Sequence, residues 1–124
     1  MTHAEKECYD LFQEIGLLLH PACRRCGAEA TAVHHIRPRA HKATAFDPDN
    51  GWSTCAACHK WVEEHPKEAE QLIRGTIGAG TYDFLVRQSA VVVRMRQYDY
   101  LTTARDLRRI RSEILRGVYP SSVD

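Results

Sequence analysis

The chain carries two Cys-x2-Cys pairs, Cys23/Cys26 and Cys55/Cys58, with His34 and His35 between them and His59 directly after the second. Pairs of this kind about thirty residues apart suit one tetrahedral zinc, because each short turn aims two thiolates at the same ion and the intervening chain closes over it. The enclosed segment loses the helical period and has little local core of its own. A structural Zn2+, worth on the order of 10 kcal/mol, would order it. Four sulfurs complete such a site, which leaves the histidines for other work. An imidazole titrates near neutrality and ligates divalent metals. Hydrolysis of a phosphodiester needs a base, a metal and a scaffold that holds both in line, and this trio could serve it.

The elements around the cluster read mainly as helices. Thr2 and Glu5 form a capping box, and Cys8, Leu11, Phe12, Ile15, Leu18 and Leu19 share one face until His20-Pro21 stops the helix, which makes Cys8 a core residue. A short strand is expected around Thr31 to Ile36, a turn at Asp47 to Gly51, a second strand over Gly51 to Thr54, and a helix through His59, Trp61 and Val62, with Trp52 and Trp61 in the core. Proline 66 opens a further helix that Gly78 and Gly80 end. The spacing then predicts a helix over Thr81 to Arg96, with Leu85, Val92 and Met95 on one side, although Val91-Val92-Val93 also suits a strand. A last helix starts near Thr102 or Thr103 and buries Leu107, Ile110, Ile114 and Leu115.

At 124 residues the chain suits one domain: an N-terminal helix over 1–20, the metal-bound core over 21–65 and a helical extension over 66–124. No apolar run is long enough for a bilayer. The polar stretch MTHAEKECYD does not resemble a secretory signal, so a cytoplasmic location is expected. The net charge of +1 hides an asymmetry: residues 1–22 carry four acids against Lys6, whereas residues 84–116 carry eight arginines against Asp99, Asp106 and Glu113. Arg37, Arg39, His41 and Lys42 in the central loop, and Arg105, Arg108 and Arg109 in the last helix, are the expected phosphate contacts of a nucleic-acid surface.

The run C-x2-C, HHI-x-P-R, D-N-G-W, C-x2-C-H over residues 23 to about 65 resembles an HNH (His-Me finger) endonuclease with a structural zinc. That resemblance implies an α+β, mainly helical fold built on a zinc-stapled ββα-metal finger. It implies metal-dependent hydrolysis of DNA, with His35 as general base and Asn50 holding the loop that orients it. His34 and His59 would ligate a catalytic Mg2+ or Mn2+, while His65 is left between a ligand role and a surface or helix-cap role. A looser pattern extending to Leu115 is similar to the phage NinG/Rap recombination nucleases, which act on branched DNA. It places the protein in a bacterial or phage-infected cell and admits a homodimer, since junction cutters often use two active sites. His34 and His59 stand where that family more often has glycine and asparagine. A nicking or restriction-type nuclease without branch preference, and a non-catalytic zinc ribbon that only binds DNA, are the alternatives. A zinc deaminase would need a glutamate two residues after a ligand histidine, where Ile36 and Arg37 stand.

Overall fold

The computed structural model describes residues 1–120, so the last four positions of the expected 66–124 extension lie outside the described residues. The architecture is α+β and mainly helical. Helix α1 (His3–Leu19) starts where the Thr2 hydroxyl accepts from the Glu5 N–H at 3.2 Å. Strands β1 (Ala32–His35) and β2 (Gly51–Thr54) form an antiparallel pair, with His34 opposite Trp52 and His35 opposite Gly51. Four helices follow: α2 (Ala56–Glu64), α3 (Pro66–Ile77), α4 (Ala79–Ser89) and α5 (Gln97–Leu115). Among the described residues, no helix is long and apolar enough to cross a membrane.

The two strands divide the interior in two. On one side Val33 joins Cys8, Leu11, Phe12 and Ile15 of α1 and Ala104 and Leu107 of α5. On the other, Ile36 and Trp52 join Val62, Ala69, Ile73, Tyr82 and Leu85 of α2 to α4. The fully buried Trp52 satisfies its indole by donating to the Thr76 hydroxyl at 3.0 Å. Cys8 is core as expected, donating its thiol to the Tyr100 carbonyl at 3.3 Å.

Helix α1 lies unusually close to β1. A Cβ at Gly16 would meet the Val33 methyls at 2.5 and 2.9 Å, so only glycine allows this approach. Gln13 uses the proximity: its amide accepts from the Val33 N–H at 2.8 Å and donates to the Val33 carbonyl at 2.9 Å. A side chain thus satisfies the backbone of β1 as a third strand would. On the far side of the pair the Arg24 N–H donates to the Ser53 carbonyl at 2.9 Å.

Four sequence expectations fail here. The predicted helix to Arg96 ends at Ser89, and residues 91–96 are neither helix nor strand. The three β-branched valines weigh against continuing the helix, and Val92 is almost fully exposed at 96% rather than beside the buried Leu85. Helix α5 begins at Gln97, about a turn and a half earlier than expected, because the Asp99 carboxylate accepts from the Arg96 N–H at 2.8 Å and caps it there. Its Leu115 is exposed, while Ile110 and Ile114 are partly buried against the core that α1 and α5 share. Gly78, with φ of +94°, separates α3 from α4, and Gly80 lies inside α4 instead of ending α3.

Candidate metal centre and hydrolytic cleft

The two knuckles are brought together. The Sγ atoms of Cys23, Cys26, Cys55 and Cys58 all lie within 4.8 Å of one another, and Cys26 and Cys55 are 3.7 Å apart. A tetrahedral Zn–S4 site with bonds of about 2.3 Å has sulfur–sulfur edges of about 3.8 Å, so the donor set fits. The thiols are free rather than disulfide-bonded. Burial raises the Cys23 thiol, but N–H groups of Cys26, Cys55 and Arg25 outweigh it and hold it down at about 6. Cys58 goes the other way: Arg25 Nη1, donating at 3.5 Å, favours its thiolate, yet burial and the neighbouring sulfurs push it up to about 12. Four sulfurs this close cannot all ionise unaided; a divalent cation would supply the missing charge.

Because side chains alternate along a strand, His34 and His35 take opposite faces of β1. His35 faces α1, where Phe12 lies parallel to its ring at 4.2 Å and Tyr9 meets it edge-on at 6.3 Å. His34 faces α2 and the His59 ring, 5.8 Å away. Both histidines nevertheless border one cleft of about 550 Å³, shared with Tyr9, Asp10, Gln13, Arg39, His59 and Glu63. A smaller cavity of about 280 Å³ adjoins it through His34 and Glu63.

Burial lowers the His35 pKa, Arg39 and Lys42 add to the effect, and the Ala45 carbonyl opposes it. That carbonyl lies 2.9 Å from His35 Nε2. Since it can only accept, Nε2 carries the proton and Nδ1 is left as the proton acceptor. Burial, followed by the His59 and His35 charges, holds His34 down at about 4, so it too is a neutral imidazole with a lone pair to give. Asn50, fully buried, accepts from the Arg37 N–H at 2.7 Å and donates to the Arg37 carbonyl at 3.1 Å, tying the chain just after β1 to the start of β2.

Sequence reasoning missed Glu63. It sits one helical turn after His59, with Oε1 3.5 Å from His59 Nε2, and lines the cleft beside both His59 and His34. The i, i+4 spacing was the available signal. His65 is turned elsewhere: it stacks on Trp61 at 5.2 Å, donates Nδ1–H to the Trp61 carbonyl and does not line the cleft. Trp61, expected in the core, is partly buried against it, and the Arg25 guanidinium carbon lies 3.8 Å from its ring centroid.

The expected phosphate contacts divide. Arg37 Nε donates to the Ser89 hydroxyl at 3.1 Å and His41 Nδ1 donates to the Ser89 carbonyl at 3.1 Å, so both fasten the central loop to the end of α4. In α5, Arg108 pairs with Glu7 at 2.7 Å, Arg105 with Asp106 at 3.1 Å and Arg109 with Glu113 at 4.0 Å. Arg111 likewise meets Glu14 at 3.0 Å. The acidic start and basic end of the chain therefore answer each other. Arg39 and Lys42 border the cleft region without such acid partners among the described ion pairs.

Residues 23–64 match the HNH endonuclease family model. The HNH segment includes both knuckles, both strands, His34, His35, Asn50, His59 and Glu63, and it excludes α1, α3, α4 and α5. No curated protein and no solved structure matches the chain.

Proposed function

We propose that the protein is a zinc-stabilised, divalent-metal-dependent DNA endonuclease in which residues 21–65 act as a ββα-metal finger. The observation that carries this reading is the division of labour along β1: a neutral His35 with its tautomer set by Ala45, beside a neutral His34 that meets His59 across one cleft.

His35 takes the proton of the attacking water at Nδ1, while Nε2 keeps its bond to Ala45 and the Phe12 stack holds the ring plane. His34, His59 and Glu63 would hold Mg2+ or Mn2+, which as a Lewis acid stabilises charge on the phosphate and the leaving oxygen. Asn50 is a positioning residue, fixing the turn that carries Arg37. Arg39 and Lys42 supply phosphate contacts. Cys23, Cys26, Cys55 and Cys58 hold the structural Zn2+.

The test is a cleavage assay on linear, nicked, forked and four-way junction DNA with Mg2+ or Mn2+, comparing the native protein with His35→Ala. Cleavage lost in His35→Ala, with zinc content and DNA binding retained, is the expected result. Equal cleavage by the variant removes the mechanism, and a native protein that binds every substrate but cuts none makes the chain a DNA-binding zinc module. A preference for branched DNA, and with it a recombination role for a homodimer, follows from the resemblance of the tail; indifference to branching removes it.

A further inference from the structure

Among the described residues, Lys6, Arg74, Arg105, Arg108, Arg109 and Arg111 pair with carboxylates, whereas two cations beside the cleft are held by one aromatic side chain. Arg39 stacks with its guanidinium carbon 3.9 Å from the Tyr9 ring centroid. Lys42 donates from Nζ to the Tyr9 hydroxyl at 2.6 Å and lies 5.3 Å from the same centroid. Tyr9 in turn stands edge-on to His35 and tilted against Phe46 at 4.7 Å, and it is 9% exposed. One rigid side chain from α1, outside the HNH segment, thus fixes two charges and abuts the proposed base.

A carboxylate partner would neutralise these cations; the ring and hydroxyl of a tyrosine orient them and leave their charge available to an anion. The two cations also sit between two open spaces. Arg39 lines the His34/His35 cleft, while Lys42 lines a neighbouring groove of about 640 Å³ that carries Arg94 together with Asp47, Asp99 and Asp106, of which Asp99 caps α5 and Asp106 pairs with Arg105. A phosphodiester chain leaving the cleft in that direction would meet both.

We propose that Tyr9 is a positioning residue that presents Arg39 and Lys42 as a paired subsite for a non-scissile phosphate of the nucleic-acid backbone beside His35. The subsite deepens the nuclease reading above and rests on it for its substrate class. Tyr9 holds Arg39 through the ring and Lys42 chiefly through the hydroxyl, so Tyr9→Phe removes the 2.6 Å hydrogen bond to Lys42 and leaves the Arg39 stack in place.

The experiment measures duplex DNA affinity of the zinc-loaded full chain against salt, without added Mg2+ or Mn2+. The set comprises the native protein, Arg39→Met, Lys42→Met, Tyr9→Phe, the double variant Tyr9→Phe/Lys42→Met, and Arg105→Met as the comparison cation. Arg39→Met and Lys42→Met are each expected to flatten the slope of log affinity against log salt by about 0.9 and to weaken binding about fivefold. Tyr9→Phe should weaken binding by less than Lys42→Met and add nothing in the double variant, a non-additivity that a general loss of stability would not produce. Slopes unchanged by Arg39→Met and Lys42→Met, or changed no more than by Arg105→Met, overturn the subsite even if the protein cuts DNA. Full additivity of Tyr9→Phe with Lys42→Met overturns the role of Tyr9. The expected slopes in a protein that never cuts would support the subsite and overturn the nuclease; absence of DNA binding overturns both.

Discussion

Phe12 lies parallel to the His35 imidazole, with ring centroids 4.2 Å apart and planes 19° from each other. The proposed base is thus backed by a residue of α1, outside the HNH segment. Phe12→Leu keeps most of the buried volume and removes the stack, an interaction worth about 1 kcal/mol. Cleavage is expected to slow several-fold with little change in DNA affinity, read from kcat and KM measured separately. A change in KM alone would show that the stack does not serve the base.

The approach of α1 to β1 depends on Gly16, where a Cβ would strike Val33. Gly16→Ala should lower stability by about 1–3 kcal/mol through overpacking. Urea denaturation of the zinc-loaded protein measures it. A neutral outcome would mean that the helix can shift without loss.

Zinc is expected to be a folding ligand. Stripping it with a strong chelator, or replacing Cys23 with serine, should release residues 21–58 from amide-exchange protection while α1 and α5, joined through Cys8, Leu11 and Leu107 and the Arg108–Glu7 pair, exchange later. Full protection of the knuckles in the stripped protein would show that the sulfurs need no ion.

Asp47 gives a pH signature. Burial pushes its carboxyl above the ordinary value, the neighbouring Asp49 charge adds to this, and the Asp49 N–H opposes it. The folded state therefore holds the proton more tightly than the unfolded one. Ionisation of Asp47 costs stability above the folded pKa, and the cost vanishes once both states are protonated, below the ordinary carboxylate value of 3.8. Asp47→Asn keeps an oxygen to accept from Asp49 and removes the charge, so it should be the more stable protein at neutral pH. The advantage should shrink as pH falls through the acid range, as thermal melts across a pH series would show.

What the sequence disclosed was local. The knuckles, the His34-His35 step and Asn50 lie within short spacings whose geometry a strand or turn dictates, and the four sulfurs converge as those spacings imply. Glu63 is equally local, one turn from His59, but an acid on an exposed helix face reads as an ordinary solvated charge. The partners of the arginines are not legible in the sequence for another reason. Arg108 and Arg111 have partners in Glu7 and Glu14, at the opposite end of the chain, and no periodicity announces that α5 will lie on α1. Arg37 and His41 likewise looked like free loop cations until the end of α4 supplied Ser89. The roles of Tyr9, Phe12 and Gln13 were hidden by their own regularity: an amphipathic helix explains an aromatic or amide every turn without reference to a site.

The amide of Gln13 on Val33, matched by the Arg24 N–H on Ser53, has a consequence for how these molecules behave in a crowd. A two-stranded sheet would ordinarily offer a bare rim on each side, onto which another chain could add a strand. Here both rims are occupied by the protein's own groups at the middle of the strands. The pair that carries the histidines is closed to lateral growth at its centre, so a second chain finds no free row of backbone groups there to extend.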